Sequence, residues 1–361
     1  MEDKAMKTTR KGLRQTFLLI LAVVMLVACD AGAVTPTATV GTGTQGTPGA
    51  GNTPATNLTK VRTGYIPVMI FAPLFVAIER GYFAEEGIEV ELTPLQGGSD
   101  AVVQLGAGNF DAAIGGAGAG LFNAANKGVK FTIVAPMHSE RPPVTSPLVI
   151  SAKRTDIKTI SDLKGKKVAV NATGAATEYW LAKALAREGV TLDQVTVETV
   201  PFANVPAALE NGSLDASILG EPLVTINEDK GIVKVLSEDF IDNFYSTYLY
   251  FGDPLMKEKP EVAKGFLKAY LRACRDLQGN YMNDDLARII EKYTQVKADV
   301  VKRASLPQFE PNGRIPVDNI ATLQDYFADR GLLEYTTKLD VARFINTELA
   351  REAAGELDAE K

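Results

Sequence analysis

From about residue 60 the apolar positions alternate between short strand-like stretches and helix-length runs. Residues 61–66 read as a strand, and residues 73–80 as a helix with Pro73 suited to its first turn and Gly81 as its stop. Residues 89–92 alternate like a second strand. The loop Gln96-Gly97-Gly98-Ser99-Asp100 leads into a helical run over 101–107, and residues 111–114 form the next strand, followed closely by the glycines of 115–120. Strand and helix taking turns at this spacing predict an α/β fold with a mainly parallel sheet.

The same order then returns. Residues 163–170 (LKGKKVAV) give a turn and a strand, 175–188 a helix, and 195–200 a strand. ALENGSLDASILG at 208–220 echoes QLGAGNFDAAIGG at 104–116, with Leu105/Leu209, Gly108/Gly212, Asp111/Asp215, Ala112/Ala216, Ile114/Ile218 and Gly116/Gly220 coinciding at one offset. The repeat predicts two similar lobes. The proline-rich residues 142–147 would connect them, and residues 245–250 would carry the return crossing. The expected division is lobe one at 60–147 plus 251–361, the later part strongly helical, and lobe two at 148–250.

The front of the chain has a different pattern. Lys4, Lys7, Arg10, Lys11 and Arg14 precede an uncharged apolar run of 12 residues, 17–28. That run is short for a bilayer span and has the form of a signal-peptide core. Leu26-Val27-Ala28-Cys29 closes it, and residues 30–59, rich in Gly, Thr, Ala and Pro, offer no apolar face to bury and read as a flexible tether.

Composition narrows the chemistry. The 361 residues carry a formal charge of -6. Residues 1–28 hold five basic and two acidic side chains, so without them the charge is -9. An acidic chain is a poor partner for nucleic acid. Beyond Cys29 the only cysteine is Cys274, read as a buried thiol, and His138 is the only histidine, read as a surface or hinge residue. This inventory builds neither a disulfide framework, nor a metal site, nor a nucleophilic triad. No enzyme activity and no cofactor are expected.

In open parallel sheets, ligands sit beyond the carboxyl ends of the strands. Between two such lobes, that rule places the residue 67–71 loop and Phe71 on one wall, with Ser99, Asp100 and Gly116. From the second lobe it nominates Asn171, Tyr179, Trp180 and Glu221, and from the crossing Tyr248. Tyr179 and Trp180 lie about 100° apart on a helix, so they cannot share one wall equally. These loops contain no Lys or Arg, which suits a neutral or weakly basic heteroaromatic ligand better than an anion. Arg141, at a strand end, is the exception that would favour an anion.

Together, the Leu26–Cys29 box, the tether, GYIPVMIFAPLFVAIERGYFAEEGIEVEL, QLGAGNFDAAIGG and SDLKGKKVAV resemble the substrate-binding lipoproteins of ABC importers. The likeness is to the family shared with thiamine pyrimidine-precursor synthases and with nitrate, sulfonate and taurine binders. It covers roughly residues 60–335. The resemblance implies a type II periplasmic-binding-protein (Venus-flytrap) fold with two crossovers, and lipidation of Cys29 after cleavage. It also implies a monomeric receptor held outside the cell membrane, passing a small molecule to a permease and its ATPase. Within the family the loops look most like the flavin and pyrimidine-vitamin binders, which implies riboflavin or a related heteroaromatic vitamin. Pyrimidine precursors, nitrate, alkanesulfonate or taurine binding and pyrimidine-precursor synthesis are the alternatives. The cysteine-rich, histidine-bearing neighbourhood of the synthases is missing here.

Overall fold

The computed structural model describes residues 58–95 and 101–360. The leader, Cys29, nearly all of the tether, and the loop bearing Ser99 and Asp100 lie outside the described residues. Thr59 already opens the first strand.

The first sheet has five strands. Thr59–Tyr65 lies between Ile88–Pro94 and Ala112–Gly116, parallel to both, and Thr247–Gly252 and Phe131–Pro136 follow on the far side. Thr247–Gly252 runs antiparallel to both its neighbours. The second sheet repeats this plan. Lys167–Val170 lies between Thr196–Thr199 and Ala216–Ile218, parallel to both, and the antiparallel Leu148–Ser151 separates Ala216–Ile218 from Val233–Ser237. In each sheet the fourth position is taken by the strand that has just crossed from the other lobe. The return strand pairs in the first sheet from Thr247, so lobe one resumes four residues earlier than the expected 251.

The internal repeat has a structural basis. Asp111 N–H donates to the Arg62 carbonyl, and its carboxylate accepts from the Arg62 N–H and guanidinium. Asp215 makes the same two backbone bonds with Lys167, and its ion pair is with Arg154 instead. Each aspartate thus ties the start of its strand to the neighbouring parallel strand, with a charge-assisted bond on top. Gly108 and Gly212, which turn the chain just before, have φ of 74° and 79°, a region that side-chain-bearing residues avoid. Ile114 and Ile218 are fully buried in their sheets.

Between the two sheets lies a small third one, with His138–Glu140 flanked antiparallel by Phe244–Tyr245 and Gln308–Phe309. It holds both connections between the lobes. His138 is fully buried here rather than at the surface, with Nδ1 2.8 Å from Thr247 Oγ1 and Nε2 3.2 Å from Glu140 Oε1.

The amphipathic helices Pro260–Asp276 and Asp284–Thr294 pack their apolar stripes into the core of lobe one. Asn283 caps the second by accepting from Leu286 N–H. Cys274 lies fully enclosed in that core, where burial pushes its thiol well above the usual range. The helix Val317–Asp329 departs from the expectation that the whole C-terminal part wraps lobe one. Its Phe327 packs on Phe122 of the first lobe and its Tyr326 on Tyr179 of the second, so a single apolar core runs through both. Among the described residues, no helix is long and apolar enough to cross a membrane.

Candidate functional site

The carboxyl ends of the central strands of the two sheets face each other across a cavity with about 610 Å³ of empty space, its open mouth included. Lobe one supplies Ile66, Val68, Ile70 and Phe71 from the loop after its first strand, and Gly115 and Gly116 from the end of its third. Lobe two supplies Asn171 after Lys167–Val170, Phe202 after Thr196–Thr199, and Gly220 and Glu221 after Ala216–Ile218. Gly116 and Gly220, paired in the repeat, thus stand at matching positions on opposite walls. The helix Ala176–Ala186 points its first turn at the same space, with Ala176, Thr177 and Trp180 on the wall.

The lobes are close together. Ala119 N–H donates to the Gly174 carbonyl at 2.8 Å, and Met69 N–H to the Glu221 carbonyl at 3.1 Å. A Cβ on Gly118 would come within 2.4 Å of the Gly174 oxygen, so this approach requires glycine.

Of the residues nominated from sequence, Phe71, Gly116, Asn171, Trp180 and Glu221 lie together on the cavity wall. Ser99 and Asp100 fall outside the described residues. Tyr179 lies off the wall. One position before Trp180 on the helix, it packs between Phe244 at 5.1 Å and Tyr326 at 5.1 Å. Tyr248 lies on the wrong face of its strand. Side chains alternate along Thr247–Gly252, so Thr247 meets the cavity while Tyr248 is fully buried behind it, donating its hydroxyl to the Tyr245 carbonyl at 2.9 Å. Met137, Ser146, Phe202 and Thr247 were not nominated. Phe202 follows a strand end and the strand-end rule could have found it. The other three come from the crossings, whose faces depend on pairing that sequence spacing does not reveal.

The polar groups of the wall have distinct states. Glu221 is 5% exposed, and its carboxylate is occupied within the protein. Both oxygens accept from the Thr225 hydroxyl, one also from Thr225 N–H at 3.1 Å, and the other from Ser305 N–H at 3.3 Å. Burial raises its pKa, against those hydrogen bonds. Asn171 Oδ1 accepts from the Thr177 hydroxyl at 2.6 Å. Trp180 meets the edge of His138 at 6.1 Å between ring centres. Arg141 stays out of the cleft, exposed at the hinge with its guanidinium on Asn243 Oδ1 at 3.1 Å. No Lys or Arg lines the cavity among the described residues.

Two lobes with this strand order, joined at a hinge over an interlobe cavity, define the periplasmic-binding-protein fold. Residues 54–291 match the NMT1-like family, and the chain belongs to that family, which takes in ABC-importer substrate-binding proteins and thiamine pyrimidine synthases. Among its relatives is the riboflavin-binding protein RibY of Chloroflexus aurantiacus, 26% identical over 275 residues, 74% of this chain and 75% of RibY. The 4-amino-5-hydroxymethyl-2-methylpyrimidine phosphate synthase of Schizosaccharomyces pombe is 24% identical over 270 residues, covering 71% of this chain and 74% of its own. Among solved structures, the periplasmic nitrate-binding protein NrtA of Synechocystis superposes with a TM-score of 0.71 at 17% identity, over 84% of this chain and 90% of that one.

Proposed function

We propose that this protein is the solute-binding component of an ABC importer, taking riboflavin or a related heteroaromatic vitamin between its lobes and passing it to a membrane permease coupled to an ATPase. The observation that carries the reading is the charge of the cavity. Phe71, Trp180 and Phe202 supply aromatic surface, the rest of the wall is largely aliphatic or glycine, and among the described residues no cationic side chain faces it. Flat neutral rings gain from such surfaces, at about 0.5–1.5 kcal/mol per aromatic contact beyond the area buried. An anion entering the same space would give up its hydration with no opposite charge to meet, next to a buried carboxyl. The likeness to a riboflavin-binding relative supports the choice of ring system.

Catalysis is not part of the reading. The two side chains most suited to covalent or proton-transfer chemistry are engaged elsewhere, His138 in the hinge and Cys274 in the core of lobe one. The receptor is taken as a monomer, anchored outside the cell membrane through lipid on Cys29.

Riboflavin titrated into the purified protein should lose its fluorescence with micromolar or tighter affinity, and saturating ligand should raise the melting temperature. A ligand at about 100 times its Kd adds roughly 2.7 kcal/mol of stability. Unquenched flavin together with stabilisation by nitrate or taurine would overturn the proposal in favour of an anion receptor. Stabilisation by a pyrimidine precursor alone would move the ligand to the thiamine side of the family.

A further inference from the structure

The hydrogen-bonding polarity of the wall specifies more than ring shape. The acceptors nearest the cavity are already used. Both Glu221 oxygens are held by Thr225 and Ser305, and Asn171 Oδ1 by Thr177. Apart from the Ser146 and Thr247 hydroxyls, which can act either way, what remains are donors. With its oxygen fixed by Thr177, the Asn171 amide has its NH₂ left for a ligand. Ala176 and Thr177 begin an 11-residue helix, where the first N–H groups have no partner within the helix. Trp180 is 3% exposed, yet its indole Nε1 has no hydrogen-bond acceptor among the described residues.

This last group is the telling one. Tryptophan has a single polar atom, a donor only, and a buried donor without a partner is costly. In this arrangement of the lobes, water does not reach it either. An acceptor arriving with the ligand would supply the partner that the protein withholds.

We infer that the site recognises its cargo by the cargo's hydrogen-bond acceptors, with the Trp180 indole N–H as the specificity-determining donor. The cargo class is a neutral planar heterocycle bearing a ring carbonyl or an unprotonated ring nitrogen. The inference rests on the solute-receptor reading above and narrows it. A ring system without acceptors leaves the indole unpaired, and loss of a buried partner of this kind weakens binding roughly tenfold or more.

Trp180 is the only tryptophan in the chain, so ¹⁵N-labelled protein gives one indole N–H resonance. The probes are riboflavin, lumichrome and uracil, with naphthalene as an acceptor-free ring and taurine and nitrate as anions. Binding of an acceptor-bearing heterocycle should move the indole proton downfield, and Trp180→Phe, which keeps an aromatic ring and removes the donor, should weaken that ligand tenfold or more with the ligand-free melting temperature little changed. A resonance that stays put at saturation, or a variant binding within twofold of the parent, overturns the inference. Should Trp180→Phe fail to fold, the resonance of the parent protein decides alone. If riboflavin fails but lumichrome or uracil binds with the same indole shift, the riboflavin reading falls and the donor inference stands. Binding of naphthalene as tight as that of the heterocycles, or binding of the anions alone, sinks the inference.

Discussion

Glu221 shows how far one residue's role can depend on neighbours that sequence does not bring together. A glutamate at a strand end beside a cleft reads as a ligand-binding carboxylate, and the structure does set it on the wall. Thr225, four residues on, is a partner that local spacing allows. Ser305, 84 residues away in the chain, is not. Held by both, Glu221 fastens the start of Leu223–Asp229 to a segment of the helical C-terminal part. Because burial raises its pKa in the folded protein, the native state keeps this proton to a higher pH than the unfolded chain does. Stability therefore falls as pH rises from the ordinary carboxylate range through the raised value. Glu221→Gln should flatten that part of the profile, so that its melting temperature gains on the parent as pH goes from about 4 to about 8. Parallel profiles for the two proteins would mean that the carboxyl ionises in the fold as it does in water.

At the level of elements, much of the architecture was legible because its signals are local. The strand after each Gly-turn-Asp, the helix begun by Pro73 and the two amphipathic helices after residue 260 follow from turn chemistry and periodicity. The helix Ala119–Asn126 was hidden, since the run of Gly and Ala before and within it has no contrast between faces to read. The small hinge sheet was hidden for another reason. Its three strands are two or three residues long and come from segments more than 60 residues apart. The same Gly-rich run carries a close approach of the lobes, at Gly118 and Gly174. Gly118→Ala should hold the lobes apart at that point, weakening ligand binding about tenfold or more while leaving the ligand-free melting temperature within a few degrees, since no side chain of the shared apolar core is removed. Calorimetry and small-angle scattering with and without ligand would check both halves. A variant that binds and compacts like the parent would show that this contact does not limit closure.

For the molecule as a whole, the repeat of one unit made the two-lobed plan readable, and the strand-end rule located the cavity. Five of the nominated residues line it. Tyr179 and Tyr248 failed by one position each, because a helix turns about 100° and a strand flips its side chains with every step. Sequence supplies the neighbourhood, and only pairing supplies the face. The proposed anchor belongs to this scale as well. Produced with its leader in a host that processes bacterial lipoproteins, the protein should fractionate with membranes and carry the mass of a diacylglyceryl group on Cys29. Cys29→Ser should move it to the soluble fraction with ligand affinity unchanged. Recovery of both forms in the same fraction would remove the tethered-receptor picture.

The helix Val317–Asp329 has a consequence for how the molecule works. Through Phe327 and Tyr326 it grips Phe122 and Tyr179 at once, so apolar packing continues from one half to the other along that flank. Prising the halves apart there would wet aromatic rings. Any parting of the lobes is thereby given a direction: it costs least on the side away from this greasy seam.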